Sequence, residues 1–126
     1  MSQILKSDEQ FLSKKRLDDY EITTEGSQTF LVIKNWQFPE AYTPRVADLM
    51  IILTPGYPMA ALDMFWTSPD VKIAATGGWP QACEHHKQYI GRNWQRWSRH
   101  FKGWRSGIDD LKTFITSIEQ EINRGY

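Results

Sequence analysis

The chain has one cysteine in 126 residues, Cys83, so no intrachain disulfide can brace it, and a reducing, intracellular setting is expected. It has no net charge: 15 lysines and arginines balance 15 aspartates and glutamates, so global charge gives no argument for a polyanionic partner. It has no long hydrophobic run. The longest, Leu49–Leu53, is far too short to cross a bilayer, and residues 1–16 are polar and lack a signal-peptide core. A cytoplasmic location with no membrane contact is the resulting expectation. There is no Gly-rich phosphate loop, so any ATP is consumed by another protein. There is no Cys-x-x-Cys or His-Glu-x-x-His, so Cys83, His85, His86 and His100 do not amount to a metal site; neither metal nor cofactor is expected.

What is abundant is aromatic. Aromatics make up 13% of the chain, with six tryptophans, on an otherwise ordinary background of 40% hydrophobic and 24% charged residues. The length suits one domain with one core. Half of the tryptophans (Trp94, Trp97 and Trp104) fall in a short stretch with Arg92, Arg96, Arg99, Lys102 and Arg105, and no acid interrupts it between Glu84 and Asp109. Basic, aromatic, hydroxyl and imidazole groups this dense point to a surface that binds something or performs chemistry.

The rest reads as an α+β domain. Residues 1–7 read as a flexible tail, and 8–15 as a short helix with its acids first and lysines last, as the helix dipole prefers. Residues 20–23, 29–34, 47–53 and 62–66 read as four strands of an antiparallel meander, since their connections are short. Residues 68–90 show no clear periodicity and read as a long, functional loop. A final helix is expected, capped by Ser106 with Asp109 and Asp110 in its first turn. Its apolar face is Ile108, Leu111, Phe114 or Ile115, Ile118 and Ile122, with Arg124 near its end and Gly125 as its stop.

Several blocks together, Ala47-Asp48-Leu49, Pro55-Gly56-Tyr57-Pro58, Leu62-Asp63-Met64-Phe65, Gly91-Arg92, Trp94-Gln95-Arg96-Trp97-Ser98-Arg99-His100 and Trp104-Arg105-Ser106-Gly107-Ile108-Asp109, make the chain resemble prokaryotic ubiquitin-conjugating enzyme family E, a bacterial branch of the UBC-fold superfamily. The resemblance covers roughly residues 8–122. It implies a single UBC-like domain over 8–126: N-terminal helix, four-stranded meander, active-site loop, and a C-terminal helix packed on the sheet. Tyr57 and Pro58 would form the structural turn after the third strand. The implied activity is that of a carrier, which accepts the C-terminus of a ubiquitin-like protein from an ATP-dependent activating enzyme and passes it to an amine. Such proteins are typically encoded beside an activating enzyme, a ubiquitin-like protein and a peptidase. The His-Pro-Asn triplet of eukaryotic relatives is absent; Ser68-Pro69-Asp70 is only a faint echo of it.

Two nucleophiles stay open. Cys83 offers the better leaving and attacking atom if nearby His85, His86 and Lys87 lower its pKa. Ser98 lies six residues before Trp104, inside the most family-specific block, with His100 on the same face of an extended segment as a base or orienting group. Asp63 can orient an arginine of the 92–105 stretch, although a solvated acid is its more frequent role. Arg96, Arg99 and Arg105, with Trp97 and Trp104, are the expected partner-binding residues; indoles at this density also serve packing. Two other classes compete with the enzyme. One is an inactive UBC-fold adaptor. The other is a single-stranded nucleic-acid module built on interleaved basic and aromatic residues, disfavoured by the zero net charge and by the acids that follow closely.

Overall fold

The computed structural model describes residues 4–124. Its elements are α1 (Lys6–Lys14), β1 (Tyr20–Glu25), β2 (Gln28–Gln37), β3 (Tyr42–Thr43), β4 (Val46–Leu53), β5 (Phe65–Ser68), β6 (Lys72–Ile73), β7 (His86–Tyr89), β8 (Arg92–Trp97) and α2 (Leu111–Arg124). The α+β class and the two flanking helices match expectation. The sheet does not stop at four strands: it has six, in the order β1-β2-β4-β5-β8-β7, with β3 and β6 paired separately. Every neighbouring pair in it is antiparallel.

The expected meander survives as β1-β2-β4-β5. The β7–β8 hairpin extends it, so the first part of the basic-aromatic stretch, up to Trp97, and the end of the long loop are strands. Residues 68–90 also carry β6. The hairpin turns through Ile90 and Gly91, whose φ angles of 46° and 76° are both left-handed, as a tight two-residue hairpin requires. Ile90 donates its N–H to Glu25 Oε1 (3.0 Å), so the sheet curls until this turn meets the β1–β2 turn.

The curl makes two cores. On one face, Phe30, Val32, Met50, Trp66 and Trp94 form a cluster lined by Ile52, Tyr89 and Ile90. On the other, Leu31, Ile33, Leu49, Ile51, Phe65 and Trp97 pack with Leu111, Phe114, Ile115, Ile118 and Ile122 of α2. That stripe recurs at helical spacing, and each buried apolar side chain contributes about 1.5–3 kcal/mol. Trp97 sits at the centre, stacked on Phe65 (5.1 Å between centroids) with Phe38 and Tyr42 at 6.1 and 5.9 Å.

Three local expectations are corrected. The helix α1 starts at Lys6, and Ile4 and Leu5 pack on the core, so a loose tail does not extend to residue 7; residues 1–3 lie outside the described residues. Ser106 does not cap α2, because its hydroxyl donates to Met59 O (2.7 Å). The cap is Asp110, whose carboxylate accepts from Thr113 N–H (3.3 Å) while Thr113 Oγ1 accepts from Asp110 N–H (3.1 Å). The expected stop at Gly125 lies outside the described residues. Finally, β5 begins at Phe65 rather than at Leu62, since Met64 has φ 56°. That conformation costs a non-glycine residue roughly 1 kcal/mol and breaks the strand just after Asp63.

Tyr57 is more than a turn residue. Its hydroxyl donates to Asp8 Oδ2 (2.6 Å) and accepts from Leu111 N–H (2.6 Å), and so ties the first turn of α1 to the first turn of α2. Asp8 Oδ2 also accepts from Leu5 N–H (2.8 Å). Burial pushes the Asp8 carboxyl above its ordinary range, against the pull of these hydrogen bonds.

Candidate functional site

The strand β8 runs out at Trp97, and the chain from Ser98 to Lys102 then lies along α2. Between them is an open groove of about 800 Å³ lined by Ser98, Arg99, His100, Phe101, Lys102, Arg105, Asp109 and one side of α2 from Lys112 to Arg124. Ser98, half-buried, is placed by its own backbone: its N–H donates to Ala82 O (3.3 Å). Arg99 O accepts from Met64 N–H (3.1 Å), which fastens the 98–100 segment to the residue following Asp63.

That fastening explains the contact that holds His100 at the rim of the groove. His100 Nδ1 lies 3.0 Å from Asp63 Oδ1 and 3.3 Å from Oδ2. A carboxylate only accepts, so Nδ1 carries the proton and Nε2 of a neutral ring is left with its lone pair. Asp63 is thus an exposed acid, as its more frequent role implied, and the group it meets is the histidine and not an arginine of the 92–105 stretch. Ser98 and His100 share the groove without a hydrogen bond between them, and the Ser98 hydroxyl has no hydrogen-bond partner among the described residues. Apo sites are often loose in this way and tighten when substrate docks.

Cys83 stands in the opposite environment. It is fully buried, its Sγ 3.4 Å from Gln81 O. Burial pushes its thiol up to about 12, and the nearby Arg99 guanidinium offsets only part of that. The expected helpers do not reach it: His86 pairs with Asp70 (2.8 Å) against the edge of Trp79, and Lys87 sits over Tyr89. In this conformation Cys83 offers neither thiolate nor access.

The expected partner-binding residues divide. Arg99 and Arg105 line the groove, but both are engaged. Arg99 donates to Gln81 O (2.7 Å), pairs with Glu121 (3.3 Å) and lies over the Trp97 ring. Arg105 grips Asp109 through Nε (3.2 Å) and Nη2 (3.1 Å). Arg96 pairs across the strands with Trp66, on the face of the sheet away from α2, so it shares no surface with them. Trp97 is completely buried and presents nothing to a partner. Trp104 is half-buried, donates to Pro58 O (3.0 Å) and packs on Phe101 and Tyr57, so it holds the groove wall in place. Pro58 thus acts through its carbonyl.

Gln95 escaped sequence reading altogether. It is fully buried on β8, its Oε1 accepting from Thr67 Oγ1 (2.9 Å) and Val71 N–H (2.7 Å) while Nε2 donates to Val71 O (2.9 Å). Trp97 Nε1 adds a bond to the same Thr67 hydroxyl (2.9 Å). This network pins Val71 to the strand that ends at Trp97, just before Ser98. Only its place between two buried tryptophans on a strand could have signalled it.

Among the described residues, no group of three or more His, Cys, Asp or Glu side chains is arranged to hold a metal ion, and no helix is long and apolar enough to cross a membrane. The arrangement is thus an α+β domain with a half-buried serine and a carboxylate-bonded histidine lining one open groove. The family model for prokaryotic E2 family E matches residues 4–125, nearly the whole chain, and the chain belongs to that family. No curated protein and no solved structure matches it.

Proposed function

We propose that this domain is a UBC-type carrier for a ubiquitin-like protein, with Ser98 as the acyl-accepting nucleophile and His100 as its base. Membership of an E2 family suggests a conjugating role in general, and with it dealings with an activating enzyme and a ubiquitin-like protein. The observation that carries the finer reading is that His100, bonded to Asp63, lines the same open groove as Ser98. A serine hydroxyl is a poor nucleophile without a base, and an aspartate-oriented imidazole is the usual remedy.

In the first step Ser98 Oγ attacks the activated C-terminal carbonyl of the ubiquitin-like protein. The Oγ–carbon bond forms, the bond to the activating enzyme's leaving group breaks, and His100 Nε2 takes the hydroxyl proton, directly or through one water. In the second step an amine attacks the oxyester, the new amide forms, and Ser98 Oγ regains a proton as it leaves. ATP is consumed upstream, by the activating enzyme. The test is a loading reaction with an activating enzyme, its ubiquitin-like protein and ATP, read on a denaturing gel. A band shifted by the mass of the ubiquitin-like protein is expected.

A second reading, an inactive adaptor, is favoured by the unbonded Ser98 hydroxyl. It predicts a stable complex with those partners and no covalent adduct under any condition.

A further inference from the structure

The groove is basic although the chain is neutral. Five cations line it, Arg99, Lys102, Arg105, Lys112 and Arg124, against two carboxylates, Asp109 and Glu121. The carboxylates are spent internally. Asp109 is held by Arg105, and Glu121 is shared by Arg99 (3.3 Å) and Arg124 (2.9 Å). Lys102 and Lys112 are exposed, line the groove, and make no ion pair or hydrogen bond among the described residues. Thr113, Thr116 and Ser117 of α2 add hydroxyls beside them. A concave surface with unspent positive charge and hydroxyl groups suits an anionic chain.

The aromatics decide which kind. A single-stranded nucleic acid needs exposed rings on which bases stack. Here Trp94 and Trp97 are fully buried, and Phe101 and Trp104 pack edge-to-face on each other, 5.3 Å apart. Among the described residues the one aromatic ring lining the groove is Phe101, half-buried between Trp104 and Phe114, so charge and hydroxyls dominate the surface, which fits carboxylates on a polypeptide better than nucleotides.

We propose that this groove docks an acidic segment of the ubiquitin-like protein that flanks its acyl terminus, with Lys102 and Lys112 as the principal contacts. The groove is continuous with Ser98 and His100, so a segment lying in it delivers the terminus to the hydroxyl. This inference rests on the carrier reading for the identity of the occupant, but not for the chemistry of the groove.

The probe is a fluorescein-labelled oligoglutamate peptide, measured by anisotropy at low and high salt beside an oligothymidylate of equal charge. Binding that weakens with salt is expected. It should weaken about tenfold further in the double variant Lys102→Gln, Lys112→Gln, and not in a control double variant Lys14→Gln, Lys87→Gln on other surfaces. A second arm puts a chloroacetamide on the peptide's C-terminus and a thiol in the groove with Ser98→Cys. Sulfur displaces chloride, and mass mapping should find the label at position 98 and not at buried Cys83.

No binding at low salt, equal loss in the control variant, or labelling away from position 98 would overturn the proposal. So would tighter binding of the oligothymidylate, which would mark the groove as a nucleic-acid site. Peptide binding without any adduct in the loading reaction would retire the carrier and leave the groove's chemistry standing. Adduct formation without peptide binding would do the reverse.

Discussion

Ser98 and Cys83 stand on adjacent segments, joined by the bond from Ser98 N–H to Ala82 O, yet they meet opposite surroundings. The intrinsically better nucleophile faces the core, with its thiol held protonated up to about 12. The poorer one faces an open groove whose histidine is already oriented by Asp63. On the proposed reading, placement reverses the chemical rank read from residue type. A thiol needs charge and access to become a thiolate, and burial removes both. A hydroxyl needs a base within reach, and under the proposed reading His100, which lines the same groove, supplies it.

The sharpest way to break this contrast is to remove the base. His100→Ala should slow adduct formation by about 10²- to 10⁴-fold, the usual worth of a general base. Asp63→Asn should cost less, since the imidazole stays and only its tautomer and orientation relax. Single-turnover loading rates would show both. If His100→Ala loads at the wild-type rate, the groove histidine has no part in the chemistry.

The cysteine side of the contrast can be sharpened without any partner. Raising a thiol from its ordinary value near 9 to about 12 cuts the thiolate fraction by about 10³ at neutral pH, so iodoacetamide should label native Cys83 at least that much more slowly than the denatured chain. The linkage has a definite sign. The folded pKa is the higher one, so the stability tied to this thiol is complete below pH 9 and is lost as pH rises towards 12. Denaturation midpoints across that window should fall in the wild type, and fall less in Cys83→Ala.

The scaffold beneath both sites gives two smaller effects. Trp97→Ala should destabilise the domain by about 3–5 kcal/mol, because it empties the aromatic centre on which Phe38, Tyr42 and Phe65 pack. Tyr57→Phe should cost about 1–3 kcal/mol, since it leaves buried Asp8 and the Leu111 N–H without their shared partner. Urea unfolding would measure both. If Trp97→Ala is nearly neutral, that tryptophan is not the core residue its burial indicates.

Much of the scaffold was legible. Residues 29–34 and 47–53 are β-branched and apolar runs, and they became β2 and β4 with only their ends extended. The 3.6-residue stripe of α2 was plain, although its start was not: Ser106 looked like a cap, but its hydroxyl is bonded to Met59 O and the chain turns helical only at Leu111.

The β7–β8 hairpin was missed for physical reasons. Its turn is Ile90-Gly91, which lacks the usual Asn or Asp before the glycine, and Ile90 is held in its left-handed conformation by packing and by Glu25. Charge density in Arg92–Trp97 also masked a period of two, in which Trp94 and Trp97 point to opposite cores. Of the candidate site, Ser98, His100 and Asp63 were all singled out from sequence. What could not be read was the partner of Asp63, since the meeting with His100 depends on Met64 breaking the strand and bonding to Arg99 O.

The central claim is that Ser98 carries the acyl group, and the most direct measurement is the chemical lability of the loaded adduct in wild type, Ser98→Ala and Cys83→Ala. The account predicts an adduct that survives thiol reductant, is cleaved by mild base, disappears in Ser98→Ala and persists in Cys83→Ala. An adduct cleaved by reductant and lost in Cys83→Ala would contradict it, and would mean that the buried thiol is brought into the open during transfer.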